Sequence, residues 1–277
     1  MKRILVPIGC RSDEGLSTPV IKRLREHFSV VPFPLSPQNF SDSYLLTEMR
    51  IKQWSPNLIL ITGDRVEMCA AAAAAFHNRI KIAHFYAGVV NDPITTFDDV
   101  DRHCITLWSD IQFCESKEAA KVAFALKMGG HQYVVGISHL DDLEVDESKV
   151  PKSVHNGIDP INYDLSLINY QPLGNPPFSF NKERHLIQIG GNPDGEILKS
   201  PQSDEFYPSL PRPQFLGLLK NCQRFITNSS AAIYEAPHFL KPEQIVMVGD
   251  RNKNRPRGPF QTGASDRIVE ILREYLK

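Results

Sequence analysis

Residues 57–88 read NLILITGDRVEMCAAAAAAFHNRIKIAHFYAG. The opening run is apolar at consecutive positions, as expected of a strand over 57–62 buried on both faces of a parallel sheet. A helix over 65–78 follows, and its six consecutive alanines, Ala70 to Ala75, combine high helix propensity with a small profile for close packing on that sheet. A second apolar run begins at Lys81 and predicts a strand over 81–86. Strand, helix and strand in this order make a βαβ unit, and a parallel α/β fold follows from repeating it.

The same alternation extends both ways from this unit. Strands are expected at 3–8, 29–33, 111–114 and 132–136, with helices at 16–27, 42–54, 98–109 and 116–128, giving an N-terminal Rossmann-like domain over 1–150. Ten of the 21 prolines then fall between Pro151 and Pro213, which argues against long helices there and places a linker at 151–183. A strand at 185–189 opens a second, smaller Rossmann-like domain over 184–277. It continues with helix 213–221, strand 224–227, helix 230–239, strand 244–248 and a final helix at 265–276.

Composition narrows the function classes. The chain of 277 residues has 31 basic and 32 acidic side chains, so no global field draws in nucleic acid or an anionic membrane, although a local basic patch is allowed. The N-terminal run ILVPIG is too short for an export signal, and no apolar stretch reaches the roughly 18 residues that span a bilayer. Five scattered cysteines, with no C-x-x-C pair, read as reduced thiols without structural zinc, and the expected location is the cytoplasm.

In open α/β sheets ligands sit at the carboxyl ends of strands, so the polar residues there are the candidates. Gly9-Cys10-Arg11-Ser12-Asp13 follows the first strand, with Arg11 a planar donor for phosphate; a turn with a surface arginine is the plainer alternative. Asp64 follows the third strand as a cleft carboxylate or a helix N-cap. Asp98 and Asp99 open the helix that also carries Asp101, Arg102 and His103, either facing a ligand or complementing the helix dipole. In the second half, Thr227-Asn228-Ser229-Ser230 and the basic loop from Gly249 to Gly258 offer hydroxyls, N–H groups and cations that suit a diphosphate.

These pieces, in this order, resemble the UDP-N-acetylglucosamine 2-epimerase family, most closely its hydrolysing branch. The resemblance rests on GCRSDEGLSTPVIKRL (9–24), ITGDRVEMCAAAAAAF (61–76), IAHFYAG (82–88), FDDVDRHCITLWSDIQFCESKEA (97–119), VVGISHLDD (134–142), FLGLLKNCQRFITNSSAAIYEAP (215–237) and VGDRNKNRPRG (248–258). It implies a GT-B-like fold with a nucleotide-sugar cleft between two Rossmann-like domains, the C-terminal one reduced. It also implies a UDP-sugar substrate, no metal or cofactor, and a homodimer. Asp64 and Asp98 match catalytic carboxylates, with Asp99 the neighbour if the alignment slips by one. Arg11, Arg251 and Arg255 would face the diphosphate, Ser229 and Ser230 the nucleotide and its phosphates, and Glu235 the nucleotide, at its ribose hydroxyls.

The family reaction implied is elimination of UDP across C1 and C2 of the sugar, then addition of water to release N-acetylmannosamine. The chain departs from the family where a catalytic glutamate is expected, since the corresponding positions are Tyr86 and Val89. A histidine expected in the loop Gly190-Gly191-Asn192-Pro193-Asp194 is also missing, leaving Asp92, Asp194 or Glu196 as substitutes. The chain is shorter than the family pattern, mainly between 195 and 212. Two alternatives therefore stand beside the epimerase: a glycosyltransferase handing the sugar to an acceptor hydroxyl on a glycan, small molecule or modified base, and a non-catalytic UDP-sugar binder.

Overall fold

The computed structural model describes residues 1–37, 39–90, 97–151, 163–167, 185–190, 203–249, 252, 255, 257 and 260–277. Two compact units emerge: Met1–Asp142 with Pro259–Lys277, and Leu143–Gly258.

Unit 1 is built on six parallel strands, β1 (Arg3–Ile8), β2 (Ser29–Pro34), β3 (Leu58–Thr62), β4 (Lys81–Phe85), β5 (Ile111–Cys114) and β6 (His131–Val134), in the order β2-β1-β3-β4-β5-β6. All five residues of β3 are buried, as a central parallel strand requires. Thr62 pairs with Phe85 and Phe85 with Phe113, so β3, β4 and β5 end level with one another. The helices between them are α1 (Arg11–Leu24), α2 (Phe40–Trp54), α3 (Val66–His77), α4 (Phe97–Trp108) and α5 (Lys117–Leu126). On α3 the six alanines are almost fully buried, and Ala71, Ala72 and Ala75 pack into a core with Leu5, Ile59, Ile61 and Ile105. Each such isoleucine or leucine contributes about 1.5–3 kcal/mol by leaving water.

Helix α1 begins five residues earlier than the expected 16–27, because the Asp13 carboxylate accepts the N–H groups of Gly9 (3.2 Å) and Cys10 (3.0 Å) and starts the helix directly after β1. The expected glycine loop is thus a tight strand-to-helix turn.

Among the described residues, unit 2 holds five parallel strands, β7 (Tyr163–Leu167), β8 (His185–Ile189), β9 (Glu205–Tyr207), β10 (Arg224–Thr227) and β11 (Ile245–Met247), in the order β11-β10-β7-β8-β9. Its helices are α6 (Arg212–Asn221), α7 (Ala231–Tyr234) and α8 (Ala236–Phe239). The single helix expected over 230–239 is therefore two short ones, consistent with Pro237, which has no N–H to continue the ladder. Strand β7 lies inside the segment expected to be a linker. Its polar residues Asp164 and Ser166 are buried, and Arg224 of β10 holds the Asp164 carboxylate at 2.5–3.2 Å.

The last helix, α9 (Ala264–Tyr275), belongs to unit 1 and not to the C-terminal domain as the sequence suggested. Arg23 of α1 grips Asp142 (2.7 and 3.0 Å) and Asp266 (2.5 Å). The Asp141 carboxylate accepts the N–H groups of Gly263 (2.7 Å) and Ser265 (2.9 Å) at the start of α9, doing from a distance what an N-cap does locally. Among the described residues, no helix is long and apolar enough to cross a membrane.

Candidate active site

Both sheets reverse their strand order once. In unit 1 the chain passes from β1 outward to β2 and returns on the other side of β1 as β3; in unit 2 it passes from β7 through β8 to β9 and returns beside β7 as β10. Ligands bind in the crevice outside the carboxyl ends of strands at such a switch point. In unit 1 the turns at Gly9–Arg11 and Gly63–Arg65 lie there; in unit 2 Thr227–Ser230 follows β10.

The unit 1 switch point is lined with buried charge. Asp13 sits beneath the turn after β1, and burial, partly opposed by the nearby Arg65 guanidinium, raises its pKa to about 6. Arg65 donates to the fully buried Glu67 carboxylate at 2.5 Å. Burial, followed by the field of Asp13, pushes the Cys10 thiol up to about 12, so it is no nucleophile at neutral pH.

Gly63 adopts φ +88°, and its carbonyl meets the Nε2 atom of His84 at 2.8 Å. A carbonyl only accepts, so Nε2 carries the proton; burial lowers the His84 pKa to about 4 and keeps the ring neutral. His84 is thus a buried latch that fixes the Gly63 turn and presents Asp64.

Asp64 forms an ion pair with Arg102 of α4, its side chain 21% exposed against 5% for the arginine. Arg102 also donates to the Val89 carbonyl (3.0 Å), so one guanidinium joins the ends of β3 and β4 to α4. Asp98 lies one turn before Arg102, on the same helix face. It is half-buried, whereas Asp99 is fully enclosed, so of the two aspartates Asp98 is the one with access to solvent. Behind them burial raises the pKa of Asp101, which is hydrogen-bonded to the Cys69 thiol.

In unit 2 the Thr227 hydroxyl accepts the Ser229 N–H (2.9 Å) and the Ser229 hydroxyl accepts the Ala231 N–H (3.3 Å). Ser229, Ser230 and Arg255 are half-buried. Asn252 is buried and donates to the Asn228 carbonyl at 2.7 Å, which holds that residue just beyond the end of β10. Glu235 meets Arg212 at 3.3 Å, so its carboxylate is already engaged by a cation of α6. Arg251, Asp92, Asn192, Asp194, Glu196 and the Arg11 side chain lie outside the described residues. Among the described residues no group of three His, Cys, Asp or Glu side chains is placed to hold a metal ion.

The sequence model described as UDP-N-acetylglucosamine 2-epimerase matches residues 45–168. The UDP-N-acetylglucosamine 2-epimerase of Neisseria meningitidis serogroup B is 26% identical over 93% of this chain and 82% of its own length. The chain is similar to the UDP-N-acetylglucosamine 2-epimerases. A Legionella pneumophila protein named UDP-N,N'-diacetylbacillosamine 2-epimerase (hydrolyzing) is also 26% identical, over 78% of this chain and 60% of its own. The UDP co-structure of S. aureus MnaA superposes with a TM-score of 0.78 at 21% identity, covering 100% of this chain and 97% of that one. The Methanocaldococcus jannaschii UDP-GlcNAc 2-epimerase, solved with UDP-GlcNAc and UDP, gives 0.74 at 15% identity, covering 99% and 100%. These structures show the fold: the GT-B-like pair of Rossmann-like units expected from the sequence.

Sequence reasoning named Asp64, Asp98, Asp99, Ser229, Ser230, Glu235 and Arg255 without their partners. It missed the roles of Asp13, His84 and Arg102. Arg102 carried a readable signal, an arginine one turn after Asp98 on an amphipathic helix; His84 carried none, since a histidine within an apolar strand reads as core.

Proposed function

We propose that the chain acts on a UDP-N-acetylhexosamine by the hydrolysing 2-epimerase route. A base takes the proton from C2, the C2–H electron pair becomes the C1–C2 double bond, and UDP leaves with the electrons of the C1–O bond. Water then returns a hydroxyl to C1 and a proton to C2, releasing N-acetylmannosamine. The observation that carries this reading is the Arg102 bridge, which holds Asp64 in an ion pair at the end of β3 from a helix on which Asp98 stands one turn earlier.

Asp64 and Asp98 take acid–base roles in this reading, and the buried Asp99 serves the scaffold. Ser229, Ser230 and the basic loop carrying Arg251 and Arg255 hold the nucleotide, with Arg11 as a further diphosphate partner. Cations and N–H groups suffice to stabilise the leaving diphosphate, and no metal is invoked. The relatives cited above are named as 2-epimerases, which favours this route over glycosyl transfer. We place the protein in the cytoplasm as a homodimer.

The test is incubation with UDP-N-acetylglucosamine and no acceptor, with UDP and free sugar followed by chromatography. UDP and N-acetylmannosamine are expected, with a loss of about 10²–10⁴-fold in Asp64→Asn. Intact substrate in the presence of bound UDP would point to a transferase or a binder.

A further inference from the structure

Helix α4 is amphipathic in the reverse sense. Its buried residues are Asp99, Arg102, Ile105 and Thr106, three of them polar, while Phe97, Val100 and Leu107 are exposed. With Cys104 these three recur at intervals of three and four, which sets them on one outward stripe. Cys104 and Trp108 pack on the core below and stay partly open to water.

The apolar surface does not stop at α4. Phe76, at the end of α3, stacks on Trp108 (6.2 Å between centroids), its neighbour His77 meets Tyr44 of α2 (6.2 Å), and Tyr44 stacks on Phe40 (6.5 Å). Ala70 to Ala75 point to every side of α3 and are all buried, so they raise no polar ridge between α2 and α4. Leu45 and Met49, one turn apart, carry the exposed apolar surface along α2.

The seven exposed large apolar side chains of these three helices are 42–82% open, which at roughly 200 Å² for each whole residue leaves about 700 Å² bare. The largest apolar patch of a monomer is about 300–600 Å², whereas each partner in a standard interface contributes about 800 Å². Charge speaks for a second copy as the occupant. Glu48 and Lys52 of α2 neutralise each other at 3.1 Å, and Asp101, at the inner edge of the α4 stripe, is engaged by the Cys69 thiol. Two copies of this face therefore meet without like-charge repulsion, and a strongly charged partner finds little to steer it.

We propose that this face, made by the outer sides of α2 and α4 and the end of α3, binds the same face of a second copy about a two-fold axis. The assignment rests on the homodimer of the reading above and gives it a surface. A two-fold contact sets each apolar stripe against its own copy, so no second complementary patch is required. The cover supplies α4 with the apolar burial that its polar inner side lacks, and it braces the helix that carries Asp98 and Arg102.

Sedimentation velocity of the full chain, over a range of concentrations, decides it. Wild type is expected to run as a dimer. Leu45→Asp and Leu107→Asp change side chains already open to water, so the fold is kept, and each is expected to weaken dimerisation by at least about 100-fold by placing an unpaired carboxylate in the contact. Met128→Asp, at an exposed methionine outside the three helices, is expected to leave the dimer intact. A monomeric wild type overturns the homodimer and its surface together. A dimer that survives both leucine variants, or that dissociates equally in Met128→Asp, overturns the surface alone; neither result alters the elimination reading, which UDP release tests separately. Hydrogen exchange in wild type checks the place without any substitution. Dilution that dissociates the dimer is expected to speed exchange in 40–54 and 97–108 and to leave α1 unchanged; exchange in 97–108 that ignores dissociation overturns the proposal.

Discussion

Arg102 of α4 closes an ion pair with Asp64 at the tip of β3, and its second hand holds the Val89 carbonyl beyond β4. The pairing fixes a carboxylate at the sheet edge and brings the acidic start of α4 to it. An arginine suits the task because its planar fork serves two acceptors at once, which a lysine cannot reproduce.

Replacing Arg102 by Met strands Asp64 and empties a buried site. The expected loss is about 3 kcal/mol, the lower end for a broken buried pair, because Asp64 keeps some access to water. Urea denaturation reads it as a lower midpoint at unchanged slope.

Asp13 is an acid whose ionised form the fold disfavours, its pKa rising from 3.8 to about 6. The folded state therefore holds a proton that the unfolded chain gives up, and this contribution is present below about pH 4 and lost as pH rises through 6. Asp13→Asn removes the titration while keeping an acceptor for the Gly9 and Cys10 N–H groups. Its stability relative to wild type should be about 2 kcal/mol more favourable at pH 7 than at pH 4.5, read by denaturation at both.

His84 works in the opposite sense. Its folded pKa falls from 6.5 to about 4, so the unfolded chain binds the proton first and stability drains away as pH falls from 6.5 toward 4. In an NMR titration the His84 Cε1–H shift should stay constant down to about pH 5; a midpoint near 6.5 would show that the latch to Gly63 is not closed.

Gly136, at φ +82°, lies against the Gln261 backbone, where an added Cβ would stand 2.8 Å from the carbonyl carbon. Gly129 has a similar φ of +88° with nothing within 4 Å. Gly136→Ala should therefore cost about 3 kcal/mol or more by displacing the segment that leads to α9, and Gly129→Ala only about 1–2 kcal/mol of backbone strain. Equal losses would mean that the 260–277 segment does not pack against unit 1 as described.

The alternating strands and helices of unit 1 were legible because each strand is short, apolar and followed by a helix of clear period. β7 was hidden, because the charge of Asp164 is neutralised by Arg224, sixty residues away in sequence, and hydropathy cannot see that partner. The membership of α9 was hidden for a similar reason: Arg23, Asp141 and Asp142 decide it, all distant in the chain. At the site, Asp64 and Asp98 could be named from their positions after a strand and at a helix start. The Tyr86–His139 contact could not, since neither residue follows a local rule and only the fold of the segment after β6 joins them.

The most direct test of the account is turnover of UDP-N-acetylglucosamine in deuterium oxide, with the released sugar examined by mass spectrometry and proton NMR. Elimination followed by hydration predicts N-acetylmannosamine carrying one deuterium at C2, formed in step with UDP. Release of UDP with an unlabelled sugar would contradict C2 chemistry, and the carboxylates around Arg102 would then serve simple hydrolysis.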